Sequence, residues 1–173
     1  MGYLRRLITT LSIVAFSQLA YGGTLKQPVD APEFMQISNW INSKPLKMSE
    51  QRSNVVLVEF WTYECINCFH AMPYTKEWYK KYKDKGLVVV GVHTPEYPEE
   101  YAPENVVKAI NKFDIQFPVA QDNQYATWKA YGNQFWPALY LIDKKGKIVY
   151  RHFGEGNYQE TESVIRKLLA EKS

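Results

Sequence analysis

Cysteine and histidine are scarce in this sequence, and their scarcity excludes several kinds of protein. The 173-residue chain contains two cysteines, Cys65 and Cys68, and three histidines. Two cysteines are too few for a disulfide scaffold, which usually needs several bridges in a shorter chain. A structural zinc site would need two more ligands, and the histidines do not have zinc-finger spacing. We therefore expect no metal and no cofactor.

A strong charge of one sign and a long apolar run are also lacking. The chain has 21 basic residues against 18 acidic ones, a net charge of +3, and shows no internal repeat. Such a balance makes nucleic acid an unexpected partner. The longest apolar run, 7–19, contains polar residues and falls short of the roughly 20 residues that span a bilayer.

The first 22 residues are typical of a secretory signal peptide. Arg5 and Arg6 precede the apolar run, and Ala20 and Gly22 supply the small residues of a cleavage site. We expect cleavage after Gly22, which leaves one domain, 23–173, with a net charge of +1. An uncleaved anchor or lipid-facing tether is the alternative. Both place the domain in the periplasm or another extracytoplasmic space.

The hydrophobic pattern of the remaining chain predicts an α/β fold. Two apolar, β-rich runs, 54–61 and 87–93, flank a helical pattern at 65–82, which indicates two parallel strands joined by a helix. Further predicted elements are a loop at 94–103, a helix at 105–113, a strand near Val119, a small helix at 125–131, an antiparallel pair at 137–143 and 146–154, and a helix at 158–171. Upstream, 39–46 predicts a hairpin that turns at Asn42 and Ser43. We expect a mixed sheet with helices on both faces and an N-terminal β-hairpin.

The two cysteines lie where the first strand passes into the helix. Disulfide exchange needs a thiolate that attacks and a second thiol that resolves the mixed disulfide. The free N–H groups at a helix start favour a thiolate on the first cysteine. A bridge between Cys65 and Cys68 closes too short a loop to stabilise the fold much. The pattern therefore favours a redox pair, with Cys65 as nucleophile and Cys68 as resolving thiol.

The stretch VEFWTYECINC, with Pro73 five residues after Cys68, resembles the thioredoxin superfamily. Over about residues 30–171 the chain looks most like the C-terminal thioredoxin-like domain of DipZ-type membrane reductases, in the TlpA-like extracytoplasmic branch. It lacks the many membrane spans of such proteins. The resemblance implies a thiol:disulfide oxidoreductase that acts on protein disulfides or thiols as a monomer and takes electrons from a separate membrane-bound donor.

The resemblance also implies roles for individual residues. Glu59 occupies the position of the buried acid that takes the proton of the resolving thiol, although an edge-strand glutamate that reaches water is the alternative. Trp136 and Pro137 match the cis-proline element that faces the cysteines and pairs with substrate, so we expect a cis peptide bond between them. Without the resemblance, Pro137 would be an ordinary proline at the start of a strand.

Several other residues near the cysteines are candidates for supporting roles. Trp61 flanks the site, and we expect it to help shape the substrate-binding surface. His93 ends the second parallel strand and is a candidate for indirect support of the site. His70 is expected to be a solvated helix residue and not a proton relay. The acidic residues of the 94–103 loop and its surroundings form a solvated face or select partners.

Glu64 and the dipeptide Ile66-Asn67 differ from the thioredoxin pattern and place no cation beside Cys65. We therefore expect a reductase of protein disulfides. The alternatives are a thiol peroxidase, suggested by Thr62 three residues before Cys65, and a non-enzymatic copper protein that uses both cysteines and His93. Cytochrome c maturation, repair of damaged cysteines and oxidative folding all fit the same motif.

Overall fold

The computed structural model describes residues 22–172, which form one β-sheet with helices packed on it. The strands are β1 (Gly22–Asp30), β2 (Asn39–Ile41), β3 (Val55–Trp61), β4 (Leu87–His93), β5 (Val119–Gln121), β6 (Ala138–Ile142) and β7 (Lys147–Phe153). The α-helices are α1 (Ile66–Tyr82), α2 (Pro103–Lys112), α3 (Ala126–Ala130) and α4 (Tyr158–Ala170). Except for Gly22, the predicted signal peptide lies outside the described residues.

The sheet is mixed, as the sequence predicted. Its strand order is β1-β7-β6-β3-β4-β5-β2 within the described part of the chain. β3, β4 and β5 run parallel, and β6 lies antiparallel to β3 on its other side. All seven residues of β3 are buried because this strand is central and covered on both faces. The predicted strand–helix–strand unit and the antiparallel pair of β6 and β7 are confirmed.

The predicted N-terminal hairpin is wrong. β1 pairs with β7 and β2 pairs with β5, so the first two strands lie at opposite edges of the sheet. Asn42 has the positive φ of 63° that a turn residue adopts, which explains the expectation. Its side-chain amide, however, donates to the carbonyl oxygens of Ile115 and Phe117 at 2.8 and 3.2 Å, and so holds the segment against the chain that enters β5.

The apolar core has one layer on each face of the sheet. Residues of α1, α2 and α4 pack on one face, and α3 with the segment between β1 and β3 packs on the other. Met72 and Tyr79 contribute to the first layer, but Phe69 of α1 is 53% exposed and contributes nothing to it. No helix within 22–172 combines the length and the apolar character needed to cross a membrane.

Candidate active site

The two cysteines form a disulfide at the first turn of α1. Their Cα atoms are 5.2 Å apart, and Cys65 is the N-cap residue, whose Sγ accepts a hydrogen bond of 3.1 Å from the backbone N–H of Cys68. Cys65 is partly exposed, whereas Cys68 is 1% exposed. A partner can therefore reach Cys65 but not Cys68. The roles of Cys65 as nucleophile and Cys68 as resolving thiol stay predictions, and this difference in exposure is compatible with them.

Glu59 lies inside the protein, beside the helix that carries the cysteines. It is 2% exposed on the central strand β3, which excludes the alternative of an edge-strand residue. Burial raises the pKa of Glu59 to about 7, and a hydrogen bond with the Thr75 side chain of α1 partly opposes this. A carboxylate that titrates near neutrality is suited to accept and release a proton.

The loop before β6 contains a cis peptide bond between Trp136 and Pro137, as predicted. Because Ala138 pairs with Phe60, Pro137 lies beside the end of β3, from which the chain continues to the cysteines. The indole of Trp136 packs against that of Trp128, with ring centroids 4.2 Å apart and ring planes tilted by 38°, and its N–H donates a hydrogen bond of 3.1 Å to the carbonyl oxygen of Thr94. Trp136 remains partly exposed and Pro137 is buried. The side chain of Trp136 is therefore available to a partner at this end of the sheet.

Trp61 and His93 lie beneath the site and not on its surface. Trp61 is 1% exposed, so the expectation that it shapes a substrate-binding surface is corrected: it packs in the core. His93 is fully buried, packs edge-on against Trp61 and stacks on Tyr63. Its Nε2 lies 3.3 Å from the hydroxyl of Thr62, and burial lowers the pKa of His93 to about 4. A neutral His93 thus supports the segment that leads to Cys65.

Glu100 is the residue of this region that sequence reasoning missed. It belongs to the acidic loop predicted to be solvated, yet it is 0% exposed. Its carboxylate accepts hydrogen bonds from the hydroxyl of Thr62 and from the backbone N–H groups of Glu64, Glu96 and Tyr97. Burial by itself would raise the pKa of Glu100, but these hydrogen bonds together lower it. The one signal in the sequence that could have indicated this role of Glu100 was Pro98, which marks the start of a helical turn with a carboxylate among its first residues.

The other sequence hypotheses receive less support. His70 is an exposed helix residue, as predicted, and its Nδ1 lies 3.1 Å from the Glu155 carboxylate. The Thr62 hydroxyl is engaged with Glu100, and so is not free to act in a peroxidase-like site. No group of three or more His, Cys, Asp or Glu side chains within 22–172 is placed to hold a metal ion, which gives a copper site of His93 and the cysteines no support.

Comparison with known proteins identifies the family of this chain. A family model described as Redoxin matches residues 30–169. Protein DipZ of Mycobacterium tuberculosis is 49% identical over 142 residues, which are 80% of this chain and 20% of DipZ. The chain thus spans about a fifth of the length of that relative. The thiol-disulfide oxidoreductase YkuV of Bacillus subtilis is 30% identical over 147 residues, which cover 85% of this chain and 97% of YkuV.

Solved structures confirm the fold. The crystal structure of the thioredoxin-like superfamily protein SPOA0173 matches with a TM-score of 0.77 and 30% identity, and covers 83% of this chain and 98% of that one. The predicted resemblance to thioredoxin-like and DipZ-type proteins is therefore confirmed. The chain belongs to the Redoxin family, and it is a thioredoxin-like thiol-disulfide oxidoreductase with a Cys65–Cys68 pair.

Proposed function

We propose that this oxidoreductase works outside the cytoplasm and reduces disulfide bonds of other proteins. A cleaved signal peptide at 1–22 would deliver the domain, and a membrane-bound donor would return electrons to its cysteines. The domain would act as a monomer. The signal-like pattern of the first 22 residues and the similarity to a part of DipZ support this location.

The main support for the proposed reaction is that a partner protein has unequal access to the two sulfur atoms. Cys65 is partly exposed at the start of α1, where its sulfur can attack a partner disulfide. The Cys65 thiolate forms a bond to one partner sulfur, and the other partner sulfur leaves as a thiolate and takes a proton. Cys68, buried and one turn along the helix, then attacks Cys65 and releases the second partner sulfur. Two electrons pass to the partner, and the protein is left with the Cys65–Cys68 disulfide.

Glu59 is proposed to receive the proton that Cys68 must lose before it attacks. Its pKa of about 7 allows the carboxylate to be present in part of the molecules at neutral pH. Trp136 and Pro137 are proposed to hold the partner chain beside Cys65, because Trp136 is partly exposed at the end of β3. His93 is proposed to act indirectly, through the packing of Tyr63.

The direction of electron flow is inferred from the charges around Cys65. A strong oxidant needs a highly stabilised thiolate in its reduced form. Here the exposed Glu64 precedes Cys65, and the hydrogen bonds of the buried Glu100 favour its charged form. Both negative charges oppose a thiolate, while the start of α1 favours it. We therefore expect a potential of roughly −200 to −270 mV, on the reducing side of the known range.

The potential is the measurement that tests the reductase role. The purified protein is equilibrated in glutathione buffers of defined ratio, quenched by alkylation and read by its mass. A midpoint in the expected range supports a reductase. A midpoint near the roughly −120 mV of DsbA would instead make the protein an oxidant. Fractionation of cells that produce the full chain tests the location, since a cytosolic protein would contradict the proposal.

Partners can be captured at the mixed-disulfide stage. With Cys68→Ala the disulfide between Cys65 and a partner cannot be resolved, so the complex persists through non-reducing electrophoresis. Mass spectrometry of that complex identifies clients and donor together. The double variant Cys65→Ala/Cys68→Ala is the control, because it cannot form a covalent complex.

A further inference from the structure

Three side chains on one face of the sheet form a row that begins at the proposed proton acceptor. Glu59 of β3 pairs with Leu139 of β6, and Leu139 pairs with His152 of β7. Directly paired residues of neighbouring strands point to the same face of a sheet. Glu59 and His152 therefore point to the face covered by α1 and α4, with Leu139 between them.

A small cavity lies between this row and the helices. It has a volume of about 20 Å³, and its lining includes Glu59, His152, Ala71 and Thr75 of α1, and Tyr158 of α4. Ala71 is one helical turn after Cys68, so the cavity reaches to within a turn of the resolving thiol. A cavity needs roughly 10–15 Å³ to hold one water molecule. The space is therefore sufficient for a single water.

Three of the residues that line the cavity carry buried polar atoms that the protein leaves unpaired. Glu59 Oε2, His152 Nδ1 and the hydroxyl of Tyr158 are buried and have no hydrogen-bond partner among residues 22–172. Unpaired buried polar groups are costly, and a buried water is ordinarily held by two to four of them. Three such atoms belong to residues that line one water-sized cavity, and this points to a ligand that both donates and accepts hydrogen bonds.

We propose that this cavity is a hydration site at which one water molecule joins Glu59 to His152 and Tyr158, and that it is the outlet for the proton that Glu59 receives from Cys68. The inference rests on the proposed role of Glu59. His152 has a suitable arrangement for this task. Its Nε2 lies 3.4 Å from the carbonyl oxygen of Glu155, so a proton on Nε2 leaves the buried, unpaired Nδ1 as an acceptor.

The proton path balances as follows. Cys68 gives its proton to the Glu59 carboxylate and attacks Cys65, which forms the disulfide and releases the partner thiolate. The protonated Glu59 then gives its proton to the water, which passes a proton to His152 Nδ1. His152 releases the proton on Nε2 at the outer side of β7, where its ring is partly exposed. Glu59 is thereby restored as a carboxylate for the next turnover.

Few other groups can act on Glu59. α1 contributes the Thr75 hydroxyl and α4 contributes Tyr158, while the neighbours on β4 and β6 are Gly91 and Leu139. Neither strand neighbour titrates. The variants that address the cavity are thus Tyr158→Phe and His152→Gln, each with a matched control outside it. Tyr74→Phe removes the hydroxyl of the ring stacked on Tyr158, and His70→Gln changes an exposed histidine.

The test measures the resolving step by itself. The Cys65 mixed disulfide with glutathione is formed on the reduced full-length protein, and glutathione release by Cys68 is followed at pH 5 to 9 under single-turnover conditions. Loss of the water weakens solvation of the Glu59 carboxylate. The fall in the rate of glutathione release on the acidic side of the pH profile, its acid limb, should then occur at higher pH. A shift of one pH unit lowers the rate at pH 6 by about tenfold. We expect this in Tyr158→Phe and His152→Gln, and wild-type profiles in both controls.

The variant Glu59→Gln distinguishes a failure of the proposed proton outlet from a failure of the proposed role of Glu59 as proton acceptor. If Glu59→Gln removes the acid limb while Tyr158→Phe and His152→Gln keep the wild-type profile, the outlet is overturned and the role of Glu59 stands. If Glu59→Gln keeps the acid limb, the role of Glu59 fails and the outlet fails with it. A high-resolution crystal structure gives a second readout that needs no variant. One ordered water within hydrogen-bond distance of Glu59 Oε2 is expected, and a dry cavity would overturn the proposal.

Discussion

The backbone N–H of Glu64 donates a hydrogen bond of 3.1 Å to Oε1 of Glu100, which is 36 residues further along the chain. This contact joins the residue immediately before the redox pair to the loop that follows β4. The same carboxylate binds the hydroxyl of Thr62 and the N–H groups of Glu96 and Tyr97. The position of the segment before Cys65 therefore depends on one buried charge.

Replacement of that charge should destabilise the protein. In Glu100→Gln, the amide NH₂ cannot accept the hydrogen bonds that one carboxylate oxygen accepts, so buried N–H groups lose their partner. We expect a loss of about 1–3 kcal/mol in the free energy of unfolding, measured by urea denaturation at pH 7. Glu99→Gln, at the exposed neighbour, is the control and should change little. Equal stability of the two variants would contradict the role of Glu100.

The pH dependence of this effect has a definite sign. The pKa of Glu100 is lowered in the folded protein, so its carboxylate stabilises the fold above the pKa it has in the unfolded chain. That contribution is lost as pH falls through the folded pKa. The difference in unfolding free energy between wild type and Glu100→Gln should therefore shrink in acid. A difference that grows as pH falls would refute this account.

Glu59 should show the opposite sign. Burial raises its pKa from 4.5 to about 7, so the neutral acid is favoured in the folded protein and stability is lost as pH rises from 4.5 through 7. This shift corresponds to about 3 kcal/mol. Relative to its value at pH 4, the free energy of unfolding at pH 8 should fall by about that much more in wild type than in Glu59→Gln. Parallel pH curves for the two proteins would exclude a strongly shifted Glu59.

The two cysteines should differ in reactivity. Reduced protein treated with less than one equivalent of iodoacetamide should be alkylated mainly at Cys65, because Cys68 is 1% exposed. Cys65→Ser should abolish reduction of insulin disulfides, whereas Cys68→Ser should stall as a mixed disulfide. Peptide mapping of the alkylated protein gives the ratio directly. Equal labelling would contradict the assignment of Cys65 as nucleophile.

Gly91 should not tolerate a methyl group. A Cβ at this position of β4 would lie 2.9 Å from Phe117 Cε2 and 2.9 Å from Trp61 Nε1, and both rings are buried. Overpacking of this kind typically costs about 1–3 kcal/mol. We expect Gly91→Ala to lower the urea midpoint without change in the slope of the transition. A more stable variant, as strand propensity alone would favour, would show that the rings move aside freely.

The elements predicted well from sequence are those with a strong local signal. β3 is an apolar run interrupted only by Glu59, β4 is apolar up to His93, and the segment of α1 between them has helical periodicity. The redox pair follows from the spacing of the two cysteines and their place between a strand and a helix, whereas the cis bond before Pro137 follows from the resemblance to the thioredoxin superfamily. Local pattern and global fold agree at these positions.

The features that sequence reasoning missed depend on contacts between distant segments. β1 is mostly exposed and polar, and it is a strand only because the edge of β7 offers it hydrogen bonds. Glu100 is buried only because Thr62 and Glu64 supply donors from another part of the chain. Phe69 is a large apolar residue, of a type usually found in the core, yet it lies on the exposed side of α1. None of these environments is encoded by neighbours in sequence.

The pairing of β1 determines where the polypeptide enters the folded body. Gly22 pairs with His152, which lies in the same row across the sheet as Glu59. Glu59 is two residues before the end of β3. The chain therefore enters at the same end of the sheet as Cys65. A tether fixed at Gly22 would hold the disulfide close to the surface that carries the tether and limit its reach to partners there. Release at Gly22 would let the end of the sheet that holds Cys65 meet partners from every direction. One proteolytic cut would thus decide between a stationary electron carrier and a diffusing one.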